Sequence, residues 1–402
     1  MKPLEGVTVV DFTRVLAGPT TTRILAELGA SVTKIEPPAG DVARLAATSV
    51  GGTSGYYVQL NGGKRNLSID LNYAEAREIV FDLCASADVI VENFRPGTMK
   101  TFGLDYEAVS AVNPTVVFVS ISGYGQDNPW SGRPAFAPTV QAESGATAAH
   151  LRHYGERLVR PTTDSASHAD LYTGLEGAIA VLAGLQGRHA NGCGVHADVS
   201  MMATMLTVNE RLHAEINGLE TRGEPLALGA PESPIFTLAD GSLVTIASTP
   251  VWTAGFLRYC AMMGRNDLRT DQRFATPDSR REHLSELLGE IQAWMSSFRS
   301  FEDLEAQVSG AGRLAIGKVR ESAETLETEW AVATEPTYEI MIGSEAVRLT
   351  KGPWRFDGED SGALSLAAAQ GAHNDEVLRE LGVGAERIEA LRAAGVLRGG
   401  NR

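Results

Sequence analysis

Residues 7–35, VTVVDFTRVLAGPTTTRILAELGASVTKI, decide the fold of this chain. Residues 7–12 are rich in β-branched side chains and predict a buried strand, and residues 31–35 predict a second one. Between them, residues 20–28 place apolar side chains at helical spacing. A strand, a helix and a strand in this order are typical of a parallel βαβ unit.

The alternation of strands and helices continues beyond this unit. Residues 88–91 and 115–122 predict further strands, and residues 74–86 and 105–112 predict helices. A long helix is expected at 169–185, and a strand that passes into a helix at 195–208. This order predicts an α/β chain with a large, Rossmann-like, open α/β domain over residues 1–200.

The pattern changes after Asn209. A connection rich in glycine and proline at 224–234 precedes a predicted β-hairpin at 235–247, with Asp240 and Gly241 in its turn. Charge-rich helical segments follow to about residue 329, and residues 374–397 are again helical. The sequence therefore predicts a smaller α+β domain at 201–329.

Composition excludes several classes of protein. The 402 residues carry 35 Lys and Arg against 50 Asp and Glu, a net charge of −15, and 43% of them are hydrophobic. Such a chain is too apolar for disorder and too acidic for a phosphate backbone, so no nucleic-acid partner is expected. Its longest apolar runs fall short of the ~20 residues that span a bilayer, so no membrane partner is expected either. The start of the chain shows no secretory signal, and three widely spaced cysteines suit the reducing cytoplasm.

Three loops at predicted strand ends contain candidate binding residues. The turn at 14–19 joins the first strand to a helix, where backbone N–H groups can meet an anion. It contains neither GxGxxG nor GxxxxGK, so no nicotinamide or P-loop site is indicated. Lys34 and Arg44 are cations near the second strand, and Asn93 with Phe94 pairs an amide with an aromatic ring. On spacing alone, a structural turn and solvated loop charges are favoured over a binding site.

Taken together, these motifs resemble the class III CoA-transferases, which include formyl-CoA transferase, the carnitine CoA-transferases and α-methylacyl-CoA racemase. The resemblance covers nearly the whole chain and is weakest over about 220–320. The motifs that carry it, in order, are Leu4-Glu5-Gly6-Val7, Asp11-Phe12, Ala17-Gly18-Pro19, Leu28-Gly29-Ala30, Lys34-Ile35-Glu36, Gly40-Asp41, Lys64-Arg65, residues 91–97 (VENFRPG), Ser122-Gly123, residues 170–174 (DLYTG), Arg188, residues 192–194 (GCG), residues 373–378 (HNDEVL) and Leu381-Gly382.

Asp170 is the candidate catalytic residue. It precedes an apolar helical run, and on spacing alone a carboxylate there is more simply an N-cap. The resemblance implies the other role, because residues 170–185 fall in gapless register with the segment that carries the family's aspartate nucleophile. Asp164 lacks a glycine four residues on and is interpreted as a loop cap.

The resemblance implies a CoA-transferase that moves CoA from an acyl-CoA thioester to a carboxylic acid, through an aspartyl anhydride and an aspartyl-CoA thioester. An α-methylacyl-CoA racemase is the closest alternative, and its second base would fall on Phe136. No histidine occurs between Phe94 and His150, so that base is missing. A non-catalytic acyl-CoA-binding protein of the same fold is the other alternative.

The resemblance also implies the binding partners and the assembly. CoA and acyl-CoA are expected as substrates, with no permanently bound cofactor and no metal, since His196 and Asp198 have no second histidine at ligand spacing. The family forms interlocked homodimers in which residues 330–402 return to the large domain. The expected CoA cleft contains Arg14, Val15, Leu16, Ala17, Ile69, Asn93, Phe94 and Phe102, with Lys34 and Arg44 supporting the phosphates less directly.

The chain departs from the oxalate-handling members of the family. Those members have glutamine where this chain has Leu16, and their run of glycines over the site has no equivalent, the nearest loop being 229–234. Leu16 and Phe136 together favour a less polar acyl group than formyl or oxalyl.

Overall fold

The computed structural model describes residues 2–46, 49–50, 53–154, 166–218, 234–311 and 315–399. The chain divides into two compact units. The larger unit takes the described residues of 1–151, 155–219 and 335–402, and the smaller unit takes those of 152–154 and 220–334. Within these ranges, no helix has both the length and the apolar character needed to cross a membrane.

The strands are numbered in chain order. They are β1 (Thr8–Asp11), β2 (Ser31–Glu36), β3 (Ser49–Val50), β4 (Thr53–Ser54), β5 (Arg65–Ser68), β6 (Val89–Glu92), β7 (Val117–Ser122), β8 (Val195–Ser200), β9 (Ile235–Thr237), β10 (Leu243–Ile246), β11 (Ile316–Lys318), β12 (Thr337–Ile342), β13 (Glu345–Thr350), β14 (Arg355–Phe356) and β15 (Glu359–Asp360).

The α-helices are numbered in the same way. They are α1 (Ala17–Glu27), α2 (Gly55–Asn61), α3 (Ala74–Ala85), α4 (Thr98–Phe102), α5 (Tyr106–Ser110), α6 (Ala137–Glu143), α7 (Ala146–Tyr154), α8 (His168–Asn191), α9 (Met201–Thr207), α10 (Leu212–Ile216), α11 (Thr253–Met263), α12 (Pro277–Glu282), α13 (Leu284–Met295), α14 (Phe301–Ala311), α15 (Ser322–Thr325), α16 (Glu329–Thr334), α17 (Asn374–Glu380) and α18 (Ala385–Ala393).

A parallel sheet forms the centre of the larger unit, in the order β5-β2-β1-β6-β7-β8 among the described residues. Every neighbouring pair in this sheet is parallel. The chain runs outward from β1 to β5, returns to β6 beside β1, and then runs outward to β8. The predicted α/β class and the parallel sheet are confirmed. In such a doubly wound sheet, ligands bind beyond the carboxyl ends of the strands where the order reverses, here β1 and β6.

One face of this sheet packs against the C-terminal helices. Val10, Ile90 and Phe118 point to this face, where they lie in one buried cluster with Val377 of α17 and Leu391 of α18. Side chains alternate between the two faces of a strand, so the β-branched neighbours of these residues cover the other face. Helices α17 and α18 are thus part of the core of the larger unit.

The opposite face of the sheet is covered by α1 and α8, which approach each other closely. A Cβ on Gly174 of α8 would lie 2.7 Å from the carbonyl oxygen of Ala17, and one on Gly177 would lie 2.5 Å from Oγ1 of Thr21. The Thr21 hydroxyl also donates to the Gly174 carbonyl at 2.8 Å. Glycine is required at both positions, and the contact fixes the register of α8 on α1.

The smaller unit is built on an antiparallel sheet in the order β11-β10-β9. The predicted hairpin is confirmed, since β9 pairs with β10 and the side chain of Asp240 accepts the Ser242 N–H at 2.8 Å in its turn. Val244 of β10 is fully buried with Tyr259 of α11 and Ile291 of α13. The core of this unit therefore lies between one face of the sheet and its helices.

The division between the units falls later than the predicted start of the smaller domain at 201. Helix α9 belongs to the larger unit, because Met201 and Met205 are buried with Val140 of α6 and Ala169 of α8. The sequence of an apolar helix that directly follows a strand does not indicate whether the helix packs in the larger or the smaller unit.

Candidate active site

The loop that follows β1 is held by side chains from three other segments. Asn93, after β6, accepts the N–H of Arg14 at 2.8 Å and donates to its carbonyl at 2.9 Å. Asp41 accepts the N–H of Val15 at 3.2 Å, and the Lys34 ammonium donates to the Thr13 carbonyl at 2.7 Å. The loop at the reversal point of the sheet is therefore pre-organised before any ligand binds.

Val15 adopts an unusual backbone conformation in this loop. Its φ angle is 65°, a region that β-branched residues rarely enter because Cβ meets the following carbonyl. Such strain costs on the order of 1–3 kcal/mol and persists where the surroundings impose it. Here the conformation of Val15 is held by the hydrogen bond that Asp41 accepts from its N–H and by the two hydrogen bonds between Asn93 and Arg14.

Five of the predicted CoA contacts lie in this loop or beside it. Leu16 and Ala17 are buried where α1 begins. The Arg14 guanidinium lies over the Phe94 ring, 4.9 Å from its centroid, and Phe94 and Phe102 are partly buried against the sheet core. Arg14 and Phe94 thus form a cationic and aromatic rim at the carboxyl ends of β1 and β6.

Lys34 and Arg44 lie inside ion pairs. Lys34 is 1% exposed and its ammonium lies 3.1 Å from the Asp41 carboxylate. The Arg44 guanidinium donates to the Glu36 carboxylate at 2.9 and 3.0 Å, and to the Tyr57 hydroxyl at 2.6 Å. Both cations therefore support the loops around the site through other side chains.

Ile69 has no exposed surface. Its side chain belongs to the buried cluster beneath the sheet, and its backbone forms a bridge with Leu397 near the C-terminus. The buried position of the Ile69 side chain does not support the predicted contact with CoA. The resemblance to the family placed Ile69 in the CoA cleft, but the C-terminal segment covers the end of β5 that precedes it.

Asp170 lies in the first turn of α8. Burial raises the pKa of its carboxyl to about 6, and the backbone N–H of Ala137 in α6 donates to the carboxylate and opposes that rise. Tyr56 is close enough that its own pKa, raised to about 12, responds first to burial and then to the charges of Asp170 and Asp41. Both carboxylates therefore act on Tyr56, and Asp41 also holds the loop after β1.

Phe136 immediately precedes Ala137, whose backbone N–H donates to the Asp170 carboxylate. It is the N-cap residue of α6, and its N–H and carbonyl are both bonded to the Thr139 hydroxyl, at 3.1 and 2.8 Å. Its side chain is 64% exposed. A large apolar ring therefore occupies the position at which a racemase was predicted to place its histidine.

Polar side chains also cluster where β6, β7 and β8 are adjacent. Burial raises the pKa of Glu92 to about 7, although hydrogen bonds from Ser120 and from the Phe94 N–H lower it. The Ser120 hydroxyl lies 3.0 Å from Nε2 of His196, whose ring stacks on that of Tyr106. These contacts account for His196 within the sheet. Over the described ranges, no three His, Cys, Asp or Glu side chains are grouped as a metal site.

Comparison with known proteins settles the family. A family model described as CoA-transferase family III matches residues 4–374. The chain belongs to CoA-transferase family III. It is similar to an acyl-CoA transferase of Fusarium pseudograminearum, at 30% identity over 98% of this chain and 88% of that protein. It is also similar to the formyl-CoA:oxalate CoA-transferase of Streptomyces coelicolor, at 28% identity over 98% of this chain and 99% of that one.

Solved structures agree with this assignment. The transferase is similar to the crystal structure of Rv3272 from Mycobacterium tuberculosis, with a TM-score of 0.80 and 28% identity over 94% of this chain and 99% of that one. It is similar to a CAIB/BAIF family protein from Brucella suis with a TM-score of 0.77 and 28% identity, over the same shares of the two chains. The open α/β fold predicted from sequence is thus the fold of the family.

Two residues of the candidate site were not assigned a role from the sequence. Asp41 bonds both Val15 and Lys34, and Tyr56 lies in the electrostatic reach of Asp170. Asp41 follows Gly40 in a motif that the resemblance did include, so a signal existed. The alternative carboxylate, Asp164, and most of the loop at 229–234 lie outside the described residues.

Proposed function

We propose that this transferase moves CoA from an acyl-CoA thioester to a free carboxylic acid, with Asp170 as the nucleophile. The observation that carries the proposal is the environment of that carboxyl. It is partly buried in the first turn of α8, and burial brings its pKa to about 6, opposed by the Ala137 N–H. A carboxylate in such a place is ionised at neutral pH yet poorly solvated, which favours attack on a carbonyl carbon.

The proposed reaction has four balanced steps. An oxygen of Asp170 attacks the thioester carbonyl, the C–S bond breaks, and CoA thiolate leaves a mixed anhydride. The thiolate then attacks the aspartyl carbonyl and expels the donor acid, which leaves an aspartyl-CoA thioester. The acceptor carboxylate attacks this thioester and releases thiolate again. The thiolate finally attacks the acceptor carbonyl, which forms the new acyl-CoA and restores the Asp170 carboxylate.

CoA itself is proposed to bind across the carboxyl ends of β1 and β6. The loop of Arg14, Val15, Leu16 and Ala17 would meet it there, with the rim formed by Asn93, Phe94 and Phe102. The support is geometric, since Asn93 joins the two strand ends through both of its bonds to Arg14. The buried Leu16 and the exposed Phe136 favour an apolar acyl group.

The assay that tests this function pairs a panel of acyl-CoA donors with a panel of carboxylic acids. The proposal expects CoA exchange that requires an acceptor acid. In deuterated water, no α-proton exchange is expected when the acceptor acid is omitted. Rapid α-proton exchange under that condition would instead establish the racemase reaction, despite Phe136 at the position of the second base.

The pH dependence of transfer is expected to follow Asp170. The protonated carboxyl cannot attack, so kcat/KM should fall about tenfold for each pH unit below about 6 and level off above it. Steady-state rates between pH 4.5 and 8.5 measure this limb, with stability checked at each pH. A kcat/KM that stays level down to pH 4.5, as the ordinary aspartate value of 3.8 would give, would contradict the burial of the reacting carboxyl.

The transferase is also proposed to act as an interlocked homodimer in the reducing cytoplasm, where Cys84, Cys193 and Cys260 would remain the free thiols they are here. Support for a dimer comes from α8. Leu175, Ile179 and Leu182 lie on one side of this helix at i, i+4 and i+7, and all are exposed. A run of this kind indicates a surface that another chain covers.

Charge on this surface is expected to disrupt the dimer. The double substitution Leu175→Glu with Ile179→Glu should yield monomers in sedimentation or light scattering, because two carboxylates would be buried without partners. Val112→Glu is the matched control, since Val112 is 54% exposed and lies off this helix. A dimer that persists in the double variant would place the interface elsewhere.

A further inference from the structure

Helix α6 contacts the first turn of α8 at two points. The Ala137 N–H donates to the Asp170 carboxylate, and Oε1 of Gln141 accepts the Ala169 N–H at 3.3 Å. Ala137 and Gln141 are four residues apart, so they lie on the same side of α6. One side of α6 thus holds two consecutive residues of α8.

Gln141 supplies a hydrogen-bond acceptor to the first turn of α8. The first N–H groups of a helix have no partner within the helix. Ser167, the N-cap residue of α8, makes no side-chain capping bond, while Ala169 is fully buried and has no access to water. Gln141, itself 4% exposed, supplies the acceptor from outside the helix.

We infer that Gln141 is a positioning residue that holds the first turn of α8 and so aims the Asp170 carboxylate. The inference rests on the proposed function of Asp170 and adds a residue to it. Without this acceptor, the Ala169 N–H would be buried without a partner, and the turn would rearrange to reach another one. The nucleophile would move with the turn, and small displacements of a reacting group are costly.

Two substitutions at this position test the inference. Gln141→Leu keeps the size of the side chain and removes the acceptor. It should lower kcat by about 100-fold while KM for the acyl-CoA changes by less than about twofold. Gln141→Glu keeps an acceptor oxygen and should restore most of kcat. Because it adds a carboxyl beside Asp170, it should also move the acid limb of kcat to higher pH.

Asn374→Leu is the control, because Asn374 is also a buried amide whose Oδ1 accepts a backbone N–H, that of Ser68 at 2.8 Å. It should lower Tm without moving the acid limb. If wild type forms the CoA adduct on Asp170 and both Gln141 variants match its kcat and pH profile, the positioning role is wrong. If wild type forms no adduct, the proposed function fails first, and the role inferred for Gln141 fails with it.

Discussion

Asp170→Ala and Asp170→Asn are expected to lose CoA transfer by at least about 10³-fold and to form no covalent CoA adduct. Each removes the oxygen that attacks the thioester, while the loop after β1 that is proposed to bind CoA stays intact. Wild type incubated with a productive acyl-CoA should carry the mass of CoA on the peptide that contains Asp170. Mass spectrometry of the intact protein and of its peptides measures both outcomes.

The asparagine variant should also be more stable than wild type at neutral pH. The folded-state pKa of Asp170 is raised from 3.8 to about 6, so ionisation of this carboxyl opposes folding. The penalty is fully present above pH 6 and absent below about pH 4, and it amounts to about 3 kcal/mol. Thermal unfolding should therefore show a higher Tm for Asp170→Asn at pH 8 and little difference at pH 4.

Because Asp170→Asn should lose activity but gain stability, the loss of activity can be distinguished from a failure to fold. An inactive but more stable Asp170→Asn enzyme is the expected result. Asp164→Asn is the matched control, since it removes the other carboxylate of the same sequence segment and should leave the adduct in place. An active Asp170→Ala enzyme, or an adduct that shifts to Asp164, would overturn the assignment of the nucleophile.

Much of the fold was predictable because its signals are local. The β-branched runs that become β1, β6 and β7 are buried on both faces of a parallel sheet, and only a continuous apolar run can satisfy that environment. Strand β5 was not predicted, since Arg65 and Asn66 break the apolar pattern. Their side chains are accommodated by partners distant in sequence, including Glu380 for Arg65 and Gly371 for Asn66. The hairpin of β12 and β13 was missed for a similar reason, as its mixed polar sequence resembles a solvated loop.

The candidate site likewise contains residues that the sequence indicated and contacts that it could not indicate. Arg14 and Asn93 were noticed because residues that follow parallel strands gather at one edge of a sheet, but their binding role was predicted only from the resemblance to the family. What Lys34 and Arg44 bind was not predictable, because either cation could equally face a phosphate or a carboxylate. The structure pairs them with Asp41 and Glu36. The positive φ of Val15 is likewise invisible in sequence, since it results from bonds to Asp41 and Asn93 that form only in the folded chain.

Lys64→Met is expected to cost about 3–5 kcal/mol of folding stability, the largest effect on stability predicted for this chain. The Lys64 ammonium lies 3.1 Å from the Asp11 carboxylate and donates to the Thr22 hydroxyl at 2.8 Å and to Oδ1 of Asn61 at 3.0 Å. Burial alone would raise the pKa of Asp11, but Lys64 first, then Lys34 and the neighbouring threonine hydroxyls, bring it below its ordinary value. Removing Lys64 therefore leaves a buried carboxylate without its nearest cation.

The second substitution Asp11→Asn separates this explanation from a packing defect. Once the buried charge is removed, the double variant should recover a large part of the stability lost in Lys64→Met, as measured by denaturant unfolding. Lys100→Met is the control, because Lys100 and Glu107 form a pair 3.9 Å apart in which both side chains are mostly exposed. Its expected effect is within about 0.5 kcal/mol. If the double variant is less stable than Lys64→Met, the cost arises from lost packing of the lysine stem, and the uncompensated charge of Asp11 is not its cause.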